Sequence, residues 1–140
     1  MTPDQITLVQ SSLPSILAIR EAAATLFYDR LFEIDPTTRP LFSGVDMTQQ
    51  GSKLMAAIAM VVGSLRRLET VERDIQKLAQ RHVTYGVTSA HFESVGAALL
   101  WTLEQGLGSA FTPELRDAWT AAYGTLSGAM QRSATSAMAA

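Results

Sequence analysis

The placement of proline constrains this chain most. Its five prolines stand at positions 3, 14, 36, 40 and 113, leaving a long uninterrupted span between Phe42 and Pro113. Across that span apolar residues recur with helical spacing, and runs of β-branched alternation are almost absent. Three of the prolines sit where helices begin. Thr2-Pro3-Asp4-Gln5 supplies a capping threonine, proline at the first helical position, and a glutamine placed to close a capping box. Asp35-Pro36 opens a short element, and Pro40 falls too late for its first turn, which predicts a 3₁₀ or equally short helix. Thr112-Pro113 opens a long last helix reaching about Arg132, after which the tail "SATSAMAA", 133–140, is expected to fray. Pro14 either kinks the first helix or marks a break after Ser11-Ser12. The proline-free span divides at Leu68–Glu69, Gly86–Ser89 and Gly106–Gly108. The expectation is a single all-α domain over 1–140, with about six longer helices plus short ones and no internal repeat.

At 140 residues the chain is long enough to bury a core, and its 47% hydrophobic and 17% charged residues describe an ordered globular domain. The net charge of −2, without a block of like charges, gives no footprint for a nucleic-acid partner. Arg66 and Arg67 sit among Glu69, Glu72 and Asp74, a solvated mixed-charge helix end. The absence of cysteine excludes disulfides, thiolate metal sites and thiol nucleophiles. "MTPDQITLVQ" lacks the basic flank and apolar core of a signal peptide, and the longest apolar run, Leu54–Gly63, is too short to span a bilayer. A cytoplasmic protein with no membrane partner is the expectation.

Three places break the binary pattern. In "LAQRHVTYG", His82 shares a helical face with Leu78 and Tyr85, either as a core histidine satisfied by a carbonyl or as a ligand. In "FYDRLF", Tyr28 edges a stripe of Ala24, Phe27 and Leu31, and its hydroxyl reaches either water or a partner inside. In "QQGSKLMAAIAMVV", Gln50 heads a face that continues through Leu54, Ile58, Val61 and Leu65, while Lys53 falls on the flank. Gln50 could equally stand exposed in a first helical turn. Three unpaired polar groups in one core would cost about 1–3 kcal/mol each, so they pair or surround something. No second histidine or carboxylate lies three or four residues from His82, which disfavours a zinc or di-iron site built from protein ligands alone. A cofactor that brings its own metal and needs one axial nitrogen fits better, and haem is such a cofactor.

With those residues in place, the chain resembles a globin of the single-domain bacterial haemoglobins related to flavohaemoglobin haem domains. The stretches that carry the resemblance are "TLFYDRLFEIDPTTRPLF", "SKLMAAIAMVVGSL", "RHVTYGVTSAHFESVG" and "AWTAAYGTL", in register along nearly the whole chain. The resemblance implies a globin fold packed around haem b, with His82 as proximal iron ligand and Tyr28 and Gln50 as the distal pair. It implies that Phe42 wedges against the porphyrin and that Leu54 lies over the ligand pocket. Leu78, Val87, Phe92 and Val95 become apolar haem contacts, and Lys53 and Arg81 stand where propionates are met or where charges are simply solvated. His91 is expected near the haem edge without ligating iron.

The implied function is reversible binding of dioxygen, with carbon monoxide and nitric oxide as further small ligands, for storage, delivery or sensing. The alternative is a nitric oxide dioxygenase served by a separate reductase, because no flavin or nicotinamide domain follows in this sequence. Tyr28 and Gln50 would be its catalytic residues. The resemblance leaves monomer and homodimer open. Two departures matter. Flavohaemoglobin haem domains carry a tyrosine where Phe92 stands and a glutamate near Ala134, so the electronic push on the proximal histidine is expected to be weaker here.

Overall fold

The computed structural model describes residues 1–139, leaving the side chains of Thr84 and of 134–139 outside the description. Among the described residues there is no strand. Six α-helices follow one another as α1 (Pro3–Ala18), α2 (Arg20–Ile34), α3 (Met47–Gly63), α4 (Glu72–Thr84), α5 (Ser89–Leu107) and α6 (Pro113–Ala139). Short 3₁₀ turns at Pro36–Phe42, Leu68–Val71 and Gly108–Ala110 join them.

The helix starts follow the local chemistry. At α1, Thr2 and Gln5 close the capping box reciprocally, at 3.0 and 3.1 Å. The Asp35 carboxylate accepts from the Thr37 N–H at the start of the first 3₁₀ turn. Asp46 accepts from the Thr48 and Gln49 N–H groups at the start of α3, and the Thr112 hydroxyl accepts from Leu115 N–H at 3.2 Å to open α6.

One open alternative is decided and one expectation is corrected. Pro14 lies inside α1, which runs on to Ala18 without a break after Ser11-Ser12. Pro14 is exposed and supplies no N–H to the Gln10 carbonyl one turn earlier. The chain breaks instead at Ile19, where neither glycine nor proline announces it. The last helix does not end near Arg132 but continues through the stretch expected to fray, to Ala139. Alanine-rich sequence without a breaker propagates a helix already nucleated upstream.

Packing runs α2 on α5, α4 on α6, α1 on α6 and α2 on α3. One core gathers Val9, Ile16, Val61, Leu103, Leu115 and Trp119 from α1, α3, α5 and α6. The Trp119 indole donates to the Ser12 hydroxyl at 2.9 Å, so the largest core side chain keeps its polar atom satisfied. A second cluster holds Phe27, Tyr28 and Leu31 of α2 against Ala98 of α5, with Phe42 and Leu54 packed around it. A third holds Ile75 and Ala79 of α4 against Met130 of α6, with Leu78 and Phe92 alongside. Helix α5 connects the last two, because Val95 belongs to one and Phe92, one turn earlier, to the other. No helix among the described residues is long and apolar enough to cross a membrane.

Candidate functional site

Tyr28 is 7% exposed, with its ring edge-on to Phe27 at 4.9 Å and to Phe42 at 5.2 Å. Its hydroxyl accepts a hydrogen bond from the Gln50 amide at 3.2 Å. Gln50 is therefore turned inward and not left exposed in its first turn. Gly51 brings the two together: a Cβ at that position would lie 2.9 Å from the Ala24 Cβ, so only glycine lets α3 cross α2 this closely. Burial pushes the Tyr28 phenol above its ordinary pKa, and the bond from Gln50 offsets this only in part. The phenol is neutral near pH 7 and, with its oxygen accepting from Gln50, has its proton free to donate elsewhere.

The His82 ring lies on α4, which packs against α6. Its Nδ1–H donates to the Leu78 carbonyl one turn earlier at 2.7 Å, which fixes the tautomer and leaves Nε2 without a hydrogen bond among the described residues. Burial lowers the imidazole pKa, the Leu78 bond opposes that, and the Arg81 charge adds to it. The ring is neutral near pH 7, the form in which imidazole binds a metal. Phe92 of α5 stacks beside it at 6.5 Å between centroids and 26° between planes. The His82 carbonyl accepts from Val87 N–H at 3.0 Å as the chain turns through Gly86, whose φ of +83° suits glycine.

The other expected residues fall around these two groups. Phe42 and Phe32 meet at 5.6 Å beside Tyr28. Leu54 and Val95 pack against the cluster containing Tyr28, and Leu78 joins the cluster beneath α4. Lys53 and Arg81 are exposed and form no ion pair among the described residues. His91 has neither ring nitrogen free, because Nδ1 accepts from Thr88 N–H at 3.0 Å and Nε2 meets the Thr37 hydroxyl at 3.2 Å. The Ala134 side chain lies outside the described residues. A cavity of about 450 Å³ opens at Phe32, Arg39, Phe42 and Met47, flanking the site without reaching Tyr28, Gln50 or His82.

Three contributors went unnoticed in the sequence: Gly51, Gly96 and Tyr123. A Cβ on Gly96 would lie 2.8 Å from the Tyr123 ring. The Tyr123 hydroxyl donates to the Phe92 carbonyl at 2.5 Å. Glycines inside helices at positions with ordinary φ were the available signal, since such glycines cost about 1 kcal/mol unless something packs close.

Among the described residues no three His, Asp or Glu side chains cluster to hold a metal ion. The donor set is thus one neutral imidazole on α4 and one neutral phenol on α2, each beside its own apolar cluster. That defines a helical protein whose metal would arrive within a larger apolar group. A family model for globins matches residues 25–130, and the chain belongs to the globin family, whose members bind haem. It is 34% identical over 128 residues to the flavohemoprotein of Bordetella pertussis, covering 90% of this chain and 32% of that protein. With the flavohemoprotein of Deinococcus radiodurans it shares 30% identity over 132 residues, 93% of this chain and 33% of that one. The chain spans about a third of the length of these curated relatives. Among solved structures, the bacterial globin of Campylobacter jejuni superposes with a TM-score of 0.88 at 26% identity, covering 99% of this chain and all of that one. An engineered carbene transferase derived from a Rhodothermus marinus protein assigned as a nitric oxide dioxygenase superposes with a TM-score of 0.90 at 25% identity, covering 99% and 96%.

Proposed function

We propose that the chain binds haem b through His82 Nε2 and takes up dioxygen reversibly on the opposite face, beneath Tyr28 and Gln50. The observation that carries this reading is the Leu78–His82 bond at 2.7 Å, which aims a neutral imidazole with one free nitrogen. Haem, when bound, supplies a ferrous iron that accepts small diatomic ligands. Phe42, Leu54, Leu78, Val87, Phe92 and Val95 would contact its apolar face and edges. Lys53 and Arg81 would meet its propionates at the surface.

On the distal side Gln50 acts on Tyr28 first. Its amide occupies the phenol oxygen and so directs the phenol proton toward a ligand carrying partial negative charge. Such a donor holds dioxygen more strongly than carbon monoxide, which carries less charge. Phe92 carries no hydroxyl to bond His82, and the imidazole gives its proton to a neutral carbonyl. That supports holding dioxygen over activating it. Storage, delivery and sensing all follow from the same equilibrium.

The flavohemoprotein relatives and the Rhodothermus neighbour favour a second reading, nitric oxide dioxygenase activity with re-reduction by a separate reductase. Tyr28 and Gln50 would serve it unchanged. Rapid mixing of the dioxygen-loaded protein with nitric oxide, followed by addition of a flavin reductase and reduced nicotinamide, separates the two. Nitrate formed for a single turnover and no faster with reductase supports the binding protein. Sustained nitrate production supports the enzyme. Purified protein with no Soret band after incubation with haem would overturn both.

A further inference from the structure

A histidine closes the first turn of α5. In a capping box the residue three places past the N-cap returns its side chain to the N-cap N–H, and glutamate or glutamine ordinarily does so. Here the N-cap is Thr88 and the returning residue is His91, whose Nδ1 accepts from the Thr88 N–H at 3.0 Å. An amide keeps its acceptor in mild acid, whereas histidine is the side chain that gains a proton between about pH 8 and pH 5. The other edge of the ring reaches a different element. Nε2 meets the Thr37 hydroxyl at 3.2 Å, in the 3₁₀ turn Pro36–Phe42. That hydroxyl donates to the Asp35 carboxylate, whose second oxygen accepts from the Ser94 hydroxyl of α5 at 2.8 Å. The proton positions follow: Nε2–H donates to Thr37, and Nδ1 offers its lone pair to Thr88. The bond from Thr37, and then that from Ser94, hold the Asp35 carboxyl below its ordinary range, so its charge persists through mild acid.

A proton added at Nδ1 sets two donors face to face, the ring N–H against the Thr88 N–H, and the cap is lost. The charged ring is then drawn to the Asp35 carboxylate behind Thr37. Other charges on the neighbouring elements are engaged elsewhere or exposed. Arg39 of the 3₁₀ turn lies over the Phe32 ring at 5.2 Å. Glu33 of α2 pairs with Arg30 at 3.1 Å, farther along α5 beside Trp101. Arg116 of α6 meets Glu104 at the far end of α5, and Glu93 on α5 itself is exposed. The 3₁₀ turn is stiff, because the buried Thr38 hydroxyl donates to the Asp35 carbonyl at 2.7 Å, so a pull on Thr37 is carried along it to Phe42. We propose that His91 is a proton-sensitive clasp: neutral, it ties the turn bearing Phe42 to the helix bearing Phe92 and Val95, and protonated, it releases the Thr88 N–H and loosens that end of α5. The effect on haem retention rests on the reading that these segments contact haem; the clasp itself does not.

Nuclear magnetic resonance of the isotope-labelled full chain, with and without haem, tests it through the Thr88 amide between about pH 7.5 and about pH 5.5. Haem transfer to an excess of a scavenging apoprotein is read over the same range. In the wild type the Thr88 resonance should move as pH falls. Its protection, corrected for the intrinsic pH dependence of amide exchange, should drop about fivefold, the scale of one hydrogen bond, and haem loss should accelerate by a similar factor. His91→Gln supplies an ordinary capping-box acceptor that cannot titrate, so its Thr88 amide should stay put and its haem loss should accelerate less. Asp35→Asn keeps a capping side chain but removes the charge that attracts the protonated ring, so its transition should fall at lower pH. A wild-type Thr88 amide unmoved across the range, or a His91→Gln amide that moves with it, would overturn the clasp. So would an Asp35→Asn transition at higher pH. Haem loss accelerating equally in wild type and His91→Gln would overturn its bearing on the site. A Thr88 amide that switches as expected in a protein that takes up no haem would overturn the parent reading and leave the clasp standing, so the two failures are distinguishable.

Discussion

The two faces of the proposed haem site are built by opposite strategies. On the distal side two polar side chains from different helices, Tyr28 and Gln50, meet across a crossing that depends on Gly51 against Ala24. On the proximal side the defining bond is local, from His82 to the carbonyl one turn back on its own helix. A local bond survives small shifts in packing, whereas a bond across a crossing fails with them. The ligand-holding side should therefore be the fragile one, and the metal-holding side robust except at its own ligand.

The largest expected effect is at that ligand. His82→Gly should abolish stable haem retention on gel filtration while leaving the far-ultraviolet circular dichroism helical. Tyr28→Phe should come next: losing one donor to a partly charged ligand should raise the dioxygen dissociation rate about ten- to hundredfold in stopped-flow measurements. Gly51→Ala tests the crossing itself. Overpacking against Ala24 should destabilise the protein by about 1–3 kcal/mol in urea unfolding and should speed dioxygen loss without touching either polar group. Equal rates in Gly51→Ala and the wild type would mean the distal pair does not depend on the crossing.

The smallest effect is expected from acid acting on the apoprotein. His82 has a folded pKa below its unfolded value near 6.5, so the unfolded chain binds its proton first. This contribution to stability is complete above about pH 6.5 and is lost as pH falls through the window below it. Urea titrations across that window should show the loss in the wild type and a smaller one in His82→Gln. Identical pH dependence in the two proteins would assign the loss to other groups.

The same contrast decides what could be read before the structure. The Leu78–His82 bond follows from i, i+4 spacing, and the capping residues Thr2, Asp35 and Thr112 sit where short-range chemistry puts them. Tyr28 and Gln50 could each be singled out, but their pairing came only through the family resemblance, since no short-range rule relates two side chains on different helices. Gly51, Gly96 and Tyr123 stayed hidden for the same reason: each is explained by what another helix brings within 3 Å. The break at Ile19 was illegible because tertiary packing, and no punctuating residue, turns the chain there. The continuation of α6 past Arg132 was missed because an alanine-rich stretch without a breaker extends a helix already nucleated upstream.

The central claim is that His82 Nε2 holds the haem iron, and chemical rescue tests it most directly. His82→Gly protein is loaded with haem in the presence and absence of free imidazole, reduced, and its visible and resonance Raman spectra are recorded. The account predicts that the wild-type spectrum is lost in the variant and regained when imidazole fills the vacated space. A variant whose spectrum matches the wild type without imidazole would contradict it.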